Sequence, residues 1–115
     1  HQTAPAKDPK LIALEKDEAA KKRAEAFTAN SKRLSDEWID TLRDRYTAAS
    51  EATSQSDIQN IRTRHMAWRQ TAQACWKQLT VSDQQRVKKA RDHLEKLLAD
   101  GVVDEIAAKA REQAA

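Results

Sequence analysis

At 115 residues the chain is one domain's worth, enough for a single modest core that buries about two-thirds of the unfolded surface. One glycine (Gly101) and two prolines (Pro5, Pro9) are too few turn formers for a sheet-rich fold and exclude a glycine-rich phosphate loop, while the abundant Ala, Lys, Glu, Gln and Arg keep most of their side-chain freedom in a helix. The formal charge of +3 permits an anionic partner without demanding one, the lone Cys75 excludes an internal disulfide, and there is no run of about 20 apolar residues that would span a membrane.

Residues 1–8 are polar, contain Pro5 and show no apolar period, so they read as a flexible N-terminal arm ahead of one domain over 9–115. Asp8 stands as an N-cap before Pro9, a residue suited to the first helical position because its missing amide proton has no helical role there. Leu11, Ile12 and Leu14 then open a helix. Asn30, Ser31 and Ser35 offer a place to break it. Against a break, Ala13, Ala20, Phe27 and Leu34 recur every seven residues, with Ala24 and Trp38 near the same stripe. That pattern predicts one long helix from Pro9 to about Thr53, its apolar face turned towards a partner throughout.

The segment Ser50–Ser56 is the first corner. Ser56-Asp57-Ile58-Gln59 reads as a capping box opening a second helix, with Ile58, Ile61, His65, Trp68, Ala72, Cys75 or Trp76, and Leu79 along one face. After Thr80-Val81, Ser82-Asp83-Gln84-Gln85 repeats the box. Val87, Ala90, Leu94, Leu97 and Leu98 form the stripe of a third helix, ending at Asp100 with Gly101 as the left-handed residue beyond it. Val102, Val103, Ile106 and Ala110 make a short terminal helix. The prediction is an all-α antiparallel bundle of three to four helices with a long first member.

The catalytic candidates are poor. His1, His65 and His93 lie far apart and form no His-Glu-x-x-His arrangement. His65 belongs to the apolar stripe as a packed imidazole, and His93 to the solvent. His1 alone could offer an amine and a ring nitrogen to a metal, but the arm supplies no third ligand. Cys75 is ten residues from His65, nearly three turns along one helix, and reads as a small core residue. The acidic pairs lie on polar faces with basic neighbours. No catalytic residue, metal site or cofactor is expected.

Two binding surfaces remain. Residues 62–96 carry nine basic and three acidic side chains, and Arg86, Lys88, Lys89 and Arg91 gather in about two helical turns. They are the anion-binding candidates, suited to the phosphates of nucleic acid. Trp38, Trp68 and Trp76 are the protein-interface candidates, since a partly exposed indole contributes large rigid area, although small bundles also bury tryptophan simply to fill a thin core. Leu11 and Leu14 join them if the first helix outruns its neighbours.

Arg64–Cys75, RHMAWRQTAQAC, resembles the Trp-then-Cys segment of small secreted lysozyme-inhibitor-like helical proteins of bacteria, and DPKLIALEKD resembles their opening helix. That resemblance implies a disulfide-stapled helical inhibitor over about a fifth of the chain. Here no second cysteine exists, and Ala72 stands where the pattern has arginine. LTVSDQQ is similar to the Leu-Thr-x-x-Gln turn of periplasmic metal-stress and chaperone bundles, with Gln84 one position late. Neither transfers a function. The expectation is a non-catalytic helical interaction protein that binds another protein or a second copy of itself, a dimer first, in an inhibitor, immunity, assembly or chaperone-like role. The alternative is a basic helical module on nucleic-acid phosphates. A chain opening at His1 fits a processed, periplasmic or secreted protein; the alternative is cytoplasmic.

Overall fold

The computed structural model of the chain describes residues 8–99 and 101–114, with the side chains of 102–104, 106 and 107 outside that description. Among the described residues there are four helices and no strand: α1 (Pro9–Glu51), α2 (Gln55–Cys75), α3 (Val81–Ala99) and α4 (Val102–Ala114). A 3-10 turn at Trp76–Gln78 ends α2. Of the arm expected over residues 1–8, only Asp8 lies among the described residues.

The first helix is continuous, as its seven-residue repeat predicts. Asp8 caps it, its Oδ1 accepting from the Lys10 amide at 2.9 Å, with Pro9 at the first helical position. Asn30 and Ser31 cause no break, because Ser31 is fully buried and its hydroxyl is used across the bundle instead. The corner after Glu51 is short, with Ala52 extended and buried.

Both following helices start two residues before the capping boxes read from the sequence. Ser54, extended at φ −142° and ψ 154°, accepts from the Asp57 amide at 3.1 Å. Thr80 Oγ1 accepts from the Asp83 amide at the same distance. In each case the capping hydroxyl sits three residues ahead of the amide it satisfies, with an aspartate rather than a glutamine at the third helical position. This register delivers Ile58 to the core, fully buried. At the far end, Gly101 has φ +70°, the left-handed conformation expected of it.

Pairings along the chain give the topology. Ser31 meets Asp83, Asp36 meets Arg86 and Tyr46 meets His93, so α1 and α3 run parallel. Arg62 reaches the Leu98 carbonyl and His65 reaches Glu95, so α2 runs against both. α4 packs against all three. The core between them is small: Trp38 and Trp68 are its largest members, Leu42, Ile58, Val87 and Leu94 are its most deeply buried large side chains, and Ala49, Ala52 and Ala72 are buried among them. Each fully buried aliphatic side chain contributes about 1.5–3 kcal/mol.

Burial on α1 begins at Ser31. The sequence stripe places Ala13, Ala20, Ala24 and Phe27 on the partner face too, yet all four are exposed. Length is the reason: α2 has 21 residues and α3 has 19, and the 3-10 turn and Thr80 that join them stand level with Ser31. Residues 9–30 therefore project past the bundle. The radius of gyration is 23.6 Å, against about 13 Å for a compact domain of similar size.

Candidate interaction surfaces

The three indoles meet at one point but not at the surface. Trp38 on α1 packs edge-on to Trp68 at 5.8 Å between ring centroids and lies parallel to Trp76 at 6.4 Å. Trp38 and Trp68 are 8% and 7% exposed, so they are core and not docking anchors. Only Trp76 reaches the surface in part, where it joins Trp68, Arg69, Gln73, Lys77 and Arg91 around a groove of about 470 Å³. Cys75 beside it is half-buried against the core, as its position predicts.

The run Arg86–Arg91 does not present four free cations. Arg86 donates from Nη2 to Asp36 at 2.7 Å and from Nη1 to Asp83 at 2.9 Å and Ser35 at 3.3 Å. These carboxylates, Asp36 first, raise its pKa further above an already high value. Asp83 in turn accepts from the Ser31 hydroxyl at 2.6 Å, and the Ser31 oxygen accepts the Thr80 amide at 2.7 Å. The Ser31 hydrogen bond, helped by Arg86 and Thr80, holds the Asp83 carboxyl below its ordinary range against the opposing effect of burial. This cluster fastens the start of α3 to the middle of α1. Arg91 is half-buried and pairs with Asp92 and Glu95. Lys88 and Lys89 remain exposed.

A second polar hub joins α2 to α3. His65, 4% exposed, lies flat on Trp68 at 5.5 Å and donates from Nε2 to Glu95 at 3.2 Å, while Arg69 reaches the other oxygen of Glu95 at 2.9 Å. The His65 Nδ1 and the Trp68 indole nitrogen are buried without a hydrogen-bond partner. Burial lowers the His65 pKa, more than Glu95 raises it, and so favours the neutral ring. The unfolded chain then binds the proton more readily. This contribution to stability is whole above the ordinary histidine value of 6.5 and declines as pH falls below it. Thermal melts should therefore show the melting temperature dropping between about pH 7 and pH 5, with a shallower drop in His65→Gln.

Of the protein-interface candidates, Leu11 and Leu14 are the ones left most open, 48% and 59% exposed, and Phe27 on the same projecting segment is 43% exposed. The sequence does not announce the clamp of Ser31, Asp83 and Arg86. Its members are some fifty residues apart, and a serine in an alanine-rich helix looks like surface. Among the described residues no three His, Cys, Asp or Glu side chains converge on a common point that would hold a metal, and no helix is long and apolar enough to cross a membrane. Comparison with protein-family models, with curated proteins and with solved structures gives no match.

Proposed function

We propose that the protein is a non-catalytic helical interaction protein whose binding element is the projecting half of α1, residues 9–30. The observation that carries this reading is the open arm itself: about 33 Å of helix at 1.5 Å per residue, bearing exposed Leu11, Leu14 and Phe27, with no other helix beside it. Leu11 and Leu14 lie one turn apart, and Ala13, Ala20 and Phe27 continue the seven-residue apolar repeat along an exposed face that no helix of the bundle covers.

The sequence favours a second copy running antiparallel. Registered about Ala20, such a copy sets Ala13 level with Phe27, Asp17 level with Arg23, and Glu18 level with Lys22. The seven-residue apolar repeat is then kept across both chains, and a two-fold contact of this kind closes on itself. The nucleic-acid alternative is weaker, since Arg86 and Arg91 are engaged by carboxylates and only Lys88 and Lys89 of its four cations stand outside ion pairs.

Light scattering on the full chain tests this. A concentration-dependent dimer should become monomeric when Ala13, Ala20 and Phe27, which this register sets on the seam, are replaced together by glutamate, while the melting temperature shifts little because all three side chains are exposed. A dimer that survives the triple substitution would place the contact elsewhere.

A further inference from the structure

The projecting arm is not the only open surface. A groove of about 890 Å³ runs between the parallel helices α1 and α3, which supply all of its lining among the described residues. Its floor is apolar: Ile39 and Leu42 are buried, and Ala90 and Tyr46 are half-buried. In the middle, Tyr46 stacks on His93 across the two helices, with centroids 4.3 Å apart and planes 15° from parallel. Three basic side chains stand on the rims, Arg43 from α1 and Lys89 and Lys96 from α3. All three are exposed. The groove's other charges are already engaged: Arg86 by Asp36 and Asp83, and Asp92 by Arg91.

We propose that this groove seats an acidic amphipathic helix from a partner protein, held alongside α1 and α3 as an added helix of the bundle. Two parallel helices backed by α2 leave a furrow on their open side, the kind of seat in which a further helix packs in bundle architectures. The groove extends on α3 from Arg86 to Lys96, about 15 Å of helix, which is the length of two to three turns of a docked segment. Apolar residues spaced three and four apart on that segment would lie on Ile39, Tyr46 and Ala90. Carboxylates flanking them on both sides would meet Arg43 on one rim and Lys89 and Lys96 on the other. The three cations repel one another in the free protein, and an acidic partner relieves that repulsion while gaining its own ion pairs. A nucleic acid would meet the same cations but would have no use for the apolar floor. The inference is independent of the α1 arm, which lies on the other side of Ser31.

The test uses fluorescence anisotropy on the full chain with designed, dye-labelled helical peptides. One peptide carries a leucine stripe flanked by glutamates, a second has the same composition scrambled, a third replaces every glutamate with lysine, and a DNA duplex is the fourth probe. The acidic amphipathic peptide should bind, and the scrambled and lysine peptides should bind at least about tenfold more weakly. Replacing Arg43, Lys89 and Lys96 with glutamate should abolish binding of the acidic peptide and create binding of the lysine peptide. Because all three side chains are exposed, these changes leave the fold intact. Glutamate at Leu11, Leu14 and Phe27 should leave peptide binding unchanged, which separates this site from the arm. Equal binding of the acidic and scrambled peptides, or binding indifferent to the triple charge reversal, would overturn the proposal. So would tight DNA binding that the charge reversal removes while the acidic peptide fails to bind, since the groove would then be a phosphate site.

Discussion

Replacing Trp38 by alanine should destabilise the protein by about 3–5 kcal/mol, the cost of removing a large aromatic side chain from a packed core. Trp38 is the point where α1, α2 and the 3-10 turn meet, touching Trp68 edge-on and Trp76 face to face. Its loss would leave both partners facing a void, and neighbouring helices cannot close it without moving away from Leu42 and Ala72, which are also buried. A domain of this size has about 5–15 kcal/mol of total stability, so a large part of it would go. Urea denaturation followed by circular dichroism measures the change, and Phe27→Ala is the control. Phe27 is 43% exposed on the arm and should cost less than about 0.5 kcal/mol. Equal losses from the two substitutions would contradict the placement of the core.

Asp83→Ala should cost about 2–3 kcal/mol, more than a surface aspartate, because it removes a charged acceptor from two donors and from the start of a helix. The Ser31 hydroxyl loses its carboxylate, Arg86 loses one of two carboxylates and retains Asp36, and the first turn of α3 loses its only acidic side chain. Ser31→Ala should be milder, about 1–2 kcal/mol, and the double variant should cost less than the sum, since both act on one cluster. There is also a pH signature. Asp83 is held below its ordinary value of 3.8 by the Ser31 hydrogen bond first and Arg86 next, so its contribution is whole above that pH and is lost as pH falls through the lowered value. Acid unfolding of Asp83→Ala should consequently show a shallower slope at the acid end than the parent protein. A parallel slope would mean that Asp83 does not carry this charge effect.

How much of this was legible in the sequence differs from element to element. The continuity of α1 was legible, because the repeat of Ala13, Ala20, Phe27 and Leu34 outweighs the local turn tendency of Asn30 and Ser31. The cores of α2 and α3 were legible for the same reason, through residues spaced three and four apart. The helix starts were displaced by two residues, since Ser54 and Ser56, or Thr80 and Ser82, are equally good caps until the interior fixes which face Ile58 and Asp83 turn inward. Exposure of the arm was legible only as a condition, at Leu11 and Leu14 if α1 outruns its neighbours: the apolar period continues past the point where α2 and α3 end, and only their lengths in space decide where burial stops. The basic run Arg86–Arg91 misled for a related reason. Charge in sequence says nothing about which carboxylates sit across the bundle, and Asp36 lies fifty residues from Arg86. The tryptophans were legible as a group but not in their sorting, in which Trp38 and Trp68 turn inward and Trp76 stays at the rim.

Residue-resolved amide hydrogen exchange at two protein concentrations tests the central claim most directly. Residues 31–51 of α1 are packed against α2 and α3, so their protection should not depend on concentration. If residues 9–30 are a binding element that pairs with a second copy, their amides should exchange rapidly in dilute solution and become protected as concentration rises, by an amount that glutamate at Ala13, Ala20 and Phe27 removes. Amides of residues 9–30 exchanging as fast as an unfolded chain at every concentration would contradict the account, since the arm would then hold no partner helix of its own kind.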